Sequence, residues 1–240
     1  MSLLSAKGLN KRFNGLAAVE DVSLSIPEGQ VRALIGPNGA GKTTLVGMLS
    51  GRIAPSSGAV SFNGQDVTAW PAHKRIAAGM GYTFQITSVF PYLSVRENVA
   101  LAARRKLSDK RRVNEAVNAA LDRVALLDRR SEEAGDLSYG HQRLLEIAMG
   151  LAQSPKLLIL DEPTQGLTDG EVAAFNALID ELRGNTTVLL IEHNMDVVMQ
   201  VADFVTVLDA GKVLFEGAPD NVKASDVVQA AYLGGGDAAA

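Results

Sequence analysis

The sequence predicts an α/β fold with a mixed sheet core, an antiparallel β region at the N-terminus and a helical subdomain. Three observations support this prediction. In the second half of the chain, short apolar runs alternate with segments of helical periodicity, which is typical of a parallel sheet covered by helices. The strand patterns near the N-terminus are joined by short turns instead. Residues 86–136 show helical signals throughout.

The N-terminal part of the chain predicts strand and turn patterns on either side of a strand–loop–helix unit. Residues 22–26 alternate between apolar and polar with period two, and the turn sequence Pro27-Glu28-Gly29 follows them. The strand–loop–helix unit covers residues 31–49 and has a glycine-rich loop at its centre. Residues 60–62 precede Asn63-Gly64, a pair that favours a tight turn between two strands.

Two helices are predicted within residues 86–136. The sequence Ser94-Val-Arg-Glu97 has the pattern of a capping box, in which two side chains satisfy each other's backbone N–H groups. The second helix is predicted by four apolar residues spaced for one helical face: Val113, Val117, Leu121 and Val124. A further helix is predicted from about residue 139 to 152.

The last third of the chain alternates strands with a helix and ends in a hairpin. Apolar runs at residues 157–160 and 187–191 predict two buried strands. A second capping-box pattern, Thr168-Asp-Gly-Glu171, precedes a helix with one apolar face formed by Val172, Phe175, Ile179 and Leu182. Residues 205–208 and 213–215 flank a turn sequence, which predicts a β-hairpin.

The composition excludes several classes of site. The chain of 240 residues has no cysteine, which excludes disulfides, thiolate nucleophiles, cysteine-bound zinc and iron–sulfur clusters. Its three histidines are scattered, so a histidine-rich metal site is not expected. The 23 basic and 27 acidic residues give a net charge of −4, which provides no overall attraction to nucleic acid. No apolar run reaches the roughly 20 residues of a membrane span, and the first residues lack a signal-peptide pattern.

Residues 36–43, Gly36-Pro-Asn-Gly-Ala-Gly-Lys-Thr43, match the phosphate-binding pattern G-x-x-x-x-G-K-[ST] in full. Glycines let the backbone curl so that N–H groups point at phosphate oxygens, and the next helix presents its positive end to the same anion. The pattern places Lys42 on the β- and γ-phosphates and the Thr43 hydroxyl on Mg²⁺. A glycine-rich turn is the alternative, but the motif lies between a predicted strand and a predicted helix. The core is therefore predicted to be of the P-loop NTPase type.

An acidic pair, Asp161 and Glu162, follows the apolar run at residues 157–160. Parallel sheets bind ligands at the carboxyl ends of their strands. At such a position Asp161 is suited to hold Mg²⁺ through water, and Glu162 to act as general base on an attacking water. A solvated strand end with two incidental acids is the alternative, and the phosphate loop in the same chain favours the catalytic interpretation.

Three further features are ambiguous when they are taken alone. His193 follows the strand predicted at residues 187–191, and Gln85 follows a short strand predicted at residues 81–84. Ser138 and Gly140 stand at a predicted helix start, where backbone N–H groups are able to bind an anion. For each of these features a purely structural role is the simpler local interpretation.

Five motifs occur in the order that is found in ATP-binding subunits of ABC transporters: the phosphate loop, Gln85, Leu137-Ser-Tyr-Gly140, Leu160-Asp-Glu-Pro163 and His193. The chain resembles that family over residues 3–234. The resemblance implies one ABC ATP-binding domain at residues 1–234, with a helical subdomain at about 86–153 and a flexible tail at 235–240. It also implies ATP and Mg²⁺ as cofactors and ATP hydrolysis coupled to transmembrane transport.

The resemblance also assigns roles to individual residues. It implies that Glu162 is the general base, that His193 is the γ-phosphate switch, and that Gln85 senses Mg²⁺ and the membrane partner. Asp161 matches the metal-site acid, beside Thr43 and Gln85. The expected nucleotide contacts are Phe13 on adenine and, in the loop, Gly36, Asn38, Gly39, Ala40, Gly41, Lys42, Thr43 and Thr44. Ser138 and Gly140 match the motif that grips the γ-phosphate of ATP held by the other subunit of a head-to-tail dimer.

Further sequence details resemble importers of branched-chain amino acids, to which urea and short-amide importers are similar. These details are Thr83-Phe-Gln85, Ile191-Glu-His-Asn-Met-Asp196 and Ala231-Tyr-Leu-Gly234. Lipopolysaccharide-export ATPases share the Tyr-Leu-Gly ending, so a lipid exporter is one alternative, and a soluble ABC ATPase not linked to transport is another. A P-loop GTPase is excluded, because Asn10-Lys11 is not followed by the aspartate of a guanine-reading motif.

The resemblance implies transmembrane permease subunits as partners, together with a second ATPase subunit, identical or related, and indirectly a substrate-binding protein. No nucleic acid partner is expected. The implied location is the cytoplasmic face of the cell membrane, as a peripheral subunit. Three residues depart from the usual family pattern: Tyr139 in place of Gly, His141 in place of Gln, and Thr168 in place of Asp. A basic cluster at residues 104–112 is either a solvated helix junction or a contact for anionic lipids.

Overall fold

The structure is a computed structural model, and it describes residues 2–83 and 88–233. In chain order the strands are β1 (Ser2–Phe13), β2 (Leu16–Pro27), β3 (Val31–Ile35), β4 (Ser57–Phe62), β5 (Gln65–Asp66), β6 (Met80–Tyr82), β7 (Leu157–Asp161), β8 (Thr187–Ile191), β9 (Phe204–Asp209) and β10 (Lys212–Gly217). The helices are α1 (Lys42–Ser50), α2 (Ala72–Ala77), α3 (Val95–Ala103), α4 (Lys110–Arg123), α5 (Tyr139–Leu151), α6 (Asp169–Leu182), α7 (Met195–Val201), α8 (Pro219–Lys223) and α9 (Asp226–Leu233). Two 3₁₀ turns, Leu127–Arg129 and Ala134–Asp136, lie between α4 and α5.

The strands form two sheets. The central sheet has the order β10-β9-β3-β8-β7-β6, and its pairs are parallel except for the β9–β10 hairpin. The second sheet has the order β2-β1-β4-β5 and is antiparallel. This topology confirms the predicted mixed sheet core with an antiparallel N-terminal region.

Both faces of the central sheet are buried, because alternate residues of a strand join different cores. In β7, Leu158 and Leu160 pack into a core with α3, α4, α5 and α6, whereas Leu157 and Ile159 pack with α1 and the antiparallel sheet. The residues of β8 alternate in the same way. Strands covered on both faces appear in a sequence as continuous apolar runs. This double burial is why the runs at residues 157–160 and 187–191 predicted strands correctly.

Both predicted capping boxes are formed. Ser94 Oγ accepts a hydrogen bond from the N–H of Glu97 at 3.2 Å, and Glu97 Oε2 accepts one from the N–H of Ser94 at 2.8 Å. Thr168 and Glu171 make the same reciprocal contacts before α6, so Thr168 serves as the helix N-cap. The apolar residues predicted for one face of α4 and its C-cap are all buried. The basic cluster at residues 104–112 is exposed between α3 and α4, and Arg111 pairs with Glu115 there.

Arg75 fixes the helix α1 from its C-terminal end. The guanidinium of Arg75 is buried and donates to the main-chain oxygens of Met48 and Leu49 at 2.8 and 2.7 Å. These carbonyl groups lie in the last turn of α1, where a helix leaves its carbonyls without internal donors. Burial lowers the pKa of Arg75, and the carboxylate of Asp66 opposes that shift. The C-terminal end of α1 is thereby tied to α2, which carries Arg75.

Two of the differences between the structure and the sequence prediction concern the strands β1 and β6. The strand β1 was not predicted, because bulges interrupt its pairing with β2 and its apolar residues do not alternate strictly. The short strand expected at residues 81–84 is observed as β6, which covers Met80–Tyr82. Residues 84–87 and the tail expected at residues 235–240 lie outside the described residues. In the part of the chain that the structure describes, no helix combines the length and the apolarity of a membrane span.

Candidate functional site

A cleft of about 530 Å³ lies at the carboxyl ends of the parallel strands. Its lining includes the residues Asn38, Gly39, Ala40, Gly41, Lys42, Thr43, Thr44, Asp161, Glu162 and His193. Residues 16–18 of β2 and residues 210–211 of the β9–β10 turn also line it. The fold thus brings the phosphate loop, the acidic pair and His193 into one cleft.

Two glycines are required by the packing of the phosphate loop. A Cβ atom on Gly36 would overlap the main-chain oxygen of Leu208 in β9, and a Cβ atom on Gly41 would overlap that of Ala18 in β2. Gly41 also has a φ of 97°, a conformation that residues with a side chain rarely adopt. The loop is therefore pressed against two strands with no room for a side chain at either position.

The turn of the β9–β10 hairpin connects the phosphate loop to β2. The N–H of Gly211 donates to the oxygen of Ala40 at 3.0 Å, and the N–H of Glu20 donates to the oxygen of Gly211 at 2.8 Å. Gly211 therefore bridges the loop and β2 through its main chain. The conformation of the loop is set by these tertiary contacts as well as by its glycines.

Lys42 folds back onto the loop that precedes it. Its Nζ atom donates to the main-chain oxygens of Gly36 at 2.7 Å and of Pro37 at 3.0 Å. Burial lowers the pKa of Lys42, and the carboxylates of Glu162 and Asp161 oppose that shift. An ammonium group in this position is able to exchange carbonyl oxygens for phosphate oxygens, which are stronger acceptors.

Asp161 ends β7 and is held by a tyrosine from the neighbouring strand. Its Oδ2 atom accepts a hydrogen bond from Tyr82 Oη at 2.7 Å. Desolvation and the contact with Asp161 raise the pKa of Tyr82 well above its usual value, so the phenol stays protonated and donates. The guanidinium of Arg52 lies 4.0 Å from the centroid of the Tyr82 ring. Tyr82 was not identified from the sequence, because its contact with Asp161 arises from the pairing of β6 with β7.

Glu162 and His193 contact each other in the cleft. The Nε2 atom of His193 lies 2.9 Å from Oε1 of Glu162. Glu162 has a φ of 51°, which is uncommon for a residue other than glycine, and its N–H donates to the oxygen of Ile191 at 2.9 Å. Ile191, at the end of β8, therefore holds the backbone of Glu162. His193, two residues after Ile191, contacts the side chain of Glu162.

The buried carboxylate of Glu192 joins the segment after Glu162 to the segment that carries His193. Its Oε1 atom accepts hydrogen bonds from the N–H of Thr164 at 3.1 Å and from the Thr164 hydroxyl. Its Oε2 atom accepts from the N–H groups of His193 at 2.8 Å and Asn194 at 3.0 Å. Glu192 is 3% exposed, so these four bonds replace the water that the carboxylate has lost. Sequence reasoning did not single out this residue.

Arg143 of α5 reaches the main chain of the acidic pair. Its Nη2 atom donates to the oxygen of Asp161 and, at 3.1 Å, to the oxygen of Glu162. Its Nη1 atom donates to Glu146 Oε2 at 2.9 Å, and Glu146 Oε1 accepts the N–H of Ser88 at 2.5 Å. Burial raises the pKa of Glu146, while Ser88 and Arg143 oppose that shift. Helix α5 is thereby connected to the acidic pair through Arg143 and to Ser88 through Glu146.

Ser138 and Gly140 line a different cleft, which has a volume of about 610 Å³. Ser138 is the N-cap of α5, and its Oγ atom accepts the N–H of His141 at 3.2 Å. The cleft is completed by Tyr139, His141, Gly166, Thr168, Gly170 and Glu171. Among the residues that the structure describes, none lines both clefts. One chain therefore does not bring Ser138 to the phosphate loop.

Apart from Ser138 and Gly140, two expected site residues that the structure describes, Gly36 and Phe13, are not in the lining of the first cleft. Gly36 contributes its main-chain oxygen to Lys42 from behind the loop. Phe13 is 46% exposed at the end of β1, and Leu16, its partner across the β1–β2 turn, lines the cleft. Gln85 lies outside the described residues. Leu16 was missed because an exposed leucine at the start of a strand gives no sequence signal.

Known proteins match this chain along most of its length. Residues 19–165 match the profile of the family described as ABC transporter. The chain is 39% identical to the high-affinity branched-chain amino acid transport ATP-binding protein BraF of Pseudomonas aeruginosa, over 97% of this chain and 98% of that protein. It is 34% identical to the lipopolysaccharide export system ATP-binding protein LptB of Haemophilus influenzae, over 98% of both.

The fold matches that of a solved ATP-binding cassette of an ABC transporter in its ADP conformation. The TM-score is 0.89 at 27% identity, and the match covers 98% of this chain and 99% of the solved one. The matched profile covers more than half of the chain, and the two curated relatives match nearly all of it. On these grounds the chain belongs to the ABC transporter family.

Proposed function

We propose that this chain is the ATP-binding and ATP-hydrolysing subunit of a transporter that imports branched-chain amino acids or similar small polar or amide solutes. One observation supports the mechanism above all. The phosphate loop, the acidic pair and His193 line one cleft, whereas Ser138 and Gly140 line another. Each chain then carries two half-sites, and a second subunit, identical or related, completes them in a head-to-tail dimer. The proposal treats residues 1–234 as one ATP-binding domain, with residues 86–153 as its helical subdomain.

In the first cleft, the loop and α1 would hold the phosphates of ATP. The N–H groups at the start of α1 and the positive end of its dipole attract an anion. Lys42 would give up its bonds to Gly36 and Pro37 and bind the β- and γ-phosphates. Phe13 is proposed to stack on adenine, which its exposed ring beside the cleft-lining Leu16 supports.

Hydrolysis is proposed to depend on Glu162 and His193. Glu162 would accept the proton of the attacking water as general base, a role for which its position at the cleft is suited. A neutral His193 with its proton on Nε2 donates to Glu162 in the observed geometry, and the same N–H would donate to the γ-phosphate. Gln85 is proposed to orient the water and to report on the membrane partner.

Mg²⁺ is also part of this proposal, and the residues present fit it. The carboxylate of Asp161 and the hydroxyl of Thr43 line the same cleft, and both are oxygen donors of the kind that Mg²⁺ prefers. Asp161 is expected to hold the ion through water and Thr43 to bind it directly, with Gln85 as a further contact. When bound, the ion supplies positive charge to the phosphate oxygens.

In the second cleft, Ser138 and Gly140 are proposed to bind the γ-phosphate of ATP held by the other subunit. A Cβ atom on Gly140 would meet both carboxylate oxygens of Glu171 at about 3 Å, so glycine fits closely there. An anion from a second chain would meet the N-terminal end of a helix of 13 residues.

The permease contact is proposed at a groove of about 430 Å³ whose lining includes residues that precede and follow residues 84–87 in the sequence. Tyr82, Ser88, Phe90, Arg105 and Gln153 are among its lining residues. Phe90 is 52% exposed, and a large apolar side chain on the surface suits a protein partner. The subunit would then sit as a peripheral protein on the cytoplasmic face of the membrane, under its permeases.

A lipid exporter is the second candidate, and the similarity to the lipopolysaccharide-export ATPase favours it. Chemistry at the two clefts is the same in both cases, so only the permease distinguishes them. Purification of the tagged chain from its native membranes in mild detergent, followed by mass spectrometry, tests the two directly. Amino-acid-importer permeases would support import, and lipid-export permeases would reverse the direction. Recovery of ribosomes or nucleic acid without any membrane protein would contradict a transport role.

A further inference from the structure

The ring of His141 contacts the side chain of Ser138, three residues before it. The Nδ1 atom of His141 lies 2.7 Å from Ser138 Oγ and 3.0 Å from Arg129 Nη1. Its Nε2 atom faces α6, where Glu171 Oε1 lies 3.7 Å away. The guanidinium of Arg129 in turn donates to both carboxylate oxygens of Glu132. The ring therefore stands between one guanidinium and two carboxylates.

Arg129 determines where the proton of the ring is. A guanidinium has only N–H donors, so the Nδ1 atom that it contacts must accept and carries no proton. His141 is therefore neutral in this arrangement, with its proton on Nε2 toward Glu171. Ser138 Oγ lies within hydrogen-bond distance of an unprotonated nitrogen, so the hydroxyl of Ser138 donates to it. In this state the hydroxyl proton points into its own chain and away from an incoming phosphate.

We propose that His141 is a positioning residue that controls whether Ser138 donates a hydrogen bond to the nucleotide of the second subunit. When Nδ1 is protonated, its hydrogen bond from Arg129 is lost, the ring donates to Ser138 Oγ, and the hydroxyl proton turns outward to the phosphate. The imidazolium also adds a positive charge beside that anion. This inference rests on the proposed contact between Ser138 and the second nucleotide.

The direction of the pH dependence follows from the charge that a bound phosphate adds to those already around the ring. Arg129 places a positive charge beside the ring, and Glu132 and Glu171 place negative charges near it. A bound phosphate adds negative charge, so nucleotide capture and proton uptake favour each other. Because the proposed capture of the nucleotide by Ser138 takes up a proton, the ATP-bound dimer is stabilised as the pH falls and weakened as the pH rises.

The first test is a ¹⁵N NMR measurement of the imidazole rings in the full chain, and it needs no nucleotide. The chain has three histidines, so comparison with His141→Gln assigns the signals of His141 by difference. At pH 8 the expected state is the neutral ring with its proton on Nε2. A proton on Nδ1 in the free protein would overturn the inference about His141. This result would not depend on whether the proposed function is correct.

The second test is ATP-dependent dimerisation, measured by analytical ultracentrifugation between pH 6.0 and 8.5. The background is Glu162→Gln, which should hold ATP without hydrolysing it. The association constant should fall by up to about tenfold per pH unit for each linked proton. With His141→Gln added, this dependence should be lost, whereas His73→Gln, an exposed control on α2, should keep it.

The outcomes of the second test separate the two proposals. If the association constant depended equally on pH with and without His141, the proposed role of His141 would be contradicted. The proposed head-to-tail dimer would not be affected by that result. Absence of an ATP-dependent dimer at every pH would contradict the proposed head-to-tail pairing itself.

Discussion

The Nε2 atom of His193 lies 2.9 Å from Oε1 of Glu162, so the proposed switch and the proposed base share a hydrogen bond. The main chain of Glu162 is held independently, by its N–H on Ile191 and by Arg143 on its carbonyl oxygen. Its φ of 51° lies in a region that non-glycine residues occupy only when their surroundings enforce it. The backbone of Glu162 is thus fixed by contacts from β8 and from α5, and its carboxylate contacts His193.

Replacing the proposed base should abolish turnover without loss of nucleotide binding. For Glu162→Gln we expect ATP hydrolysis to fall by roughly 10²-fold or more, because an amide does not accept the proton of water. Phosphate release under saturating ATP measures the effect. Glu115→Gln, which removes an exposed carboxylate of α4, is the matched control and should behave as wild type. A Glu162→Gln protein with wild-type turnover would remove Glu162 from the role of base.

Removing the loop lysine should weaken the binding of phosphate itself. For Lys42→Ala we expect the Kd for ATP to rise by at least about tenfold, because a charge-assisted hydrogen bond contributes roughly 1.5–3 kcal/mol. Isothermal titration calorimetry measures this change. Lys223→Ala, at an exposed position on α8, tests whether loss of any positive charge has the same effect. Unchanged ATP affinity in Lys42→Ala would contradict the phosphate-loop assignment.

Glu192 should matter for catalysis although it does not line the first cleft. In Glu192→Gln, an NH₂ group replaces one of the two oxygens, so N–H groups of Thr164, His193 or Asn194 lose their acceptor. We expect a loss of about 1–3 kcal/mol in the free energy of unfolding. We also expect kcat to fall more than ATP affinity, because His193 loses its fixed backbone. Urea unfolding and steady-state kinetics measure the two effects.

The control for this variant is Glu181→Gln, whose carboxylate is exposed and pairs with Arg123. It should change neither quantity measurably, since exposed ion pairs contribute little. If Glu192→Gln were destabilised but kept its kcat at a temperature where it is folded, the link from Glu192 to His193 would be only structural.

Variants of the buried pair Arg143 and Glu146 should differ in stability although they share a low rate of ATP hydrolysis. Both side chains are buried, at 1% and 5% exposure, so Arg143→Met leaves a buried carboxylate without its cation and should cost about 3–5 kcal/mol. The double variant Arg143→Met/Glu146→Leu should recover part of that loss, because the uncompensated charge is gone. Its hydrolysis rate should remain low, since the oxygen of Glu162 still lacks its donor. Recovery of both stability and activity in the double variant would show that Arg143 has no part in orienting Glu162.

The sequence predicted those elements of the fold in which local pattern and tertiary burial agree. The apolar runs of β7 and β8, both capping boxes and the phosphate loop fall in this class. The strand β1 was missed because its bulges break the alternation on which the prediction depends. At the site, the sequence found the residues that carry motifs, and the first cleft contains Lys42, Asp161, Glu162 and His193.

The residues that hold those groups in place were not predictable from the sequence. Tyr82 donates a hydrogen bond to Asp161, and Arg143 donates one to the main-chain oxygen of Glu162. Glu192 accepts a hydrogen bond from the N–H of His193. Each contact joins residues whose proximity depends on sheet register or on the packing of α5 against the sheet. A buried arginine or glutamate in a sequence looks the same as an exposed one, and only the three-dimensional structure distinguishes them. The roles assigned to the site residues stay predictions until the variants are measured.

The bridge that Gly211 makes between the phosphate loop and β2 has a consequence for protein engineering. A fragment that ends shortly after the acidic pair would contain every residue of the phosphate loop, but it would lack the β9–β10 turn that supports the loop from the far end of the chain. It would also leave Gly36 without the strand against which its backbone is pressed. The smallest unit able to bind nucleotide is therefore expected to extend beyond the last motif, through β10. Truncation libraries or chimaeric cassettes built from this chain should place their junctions outside that hairpin.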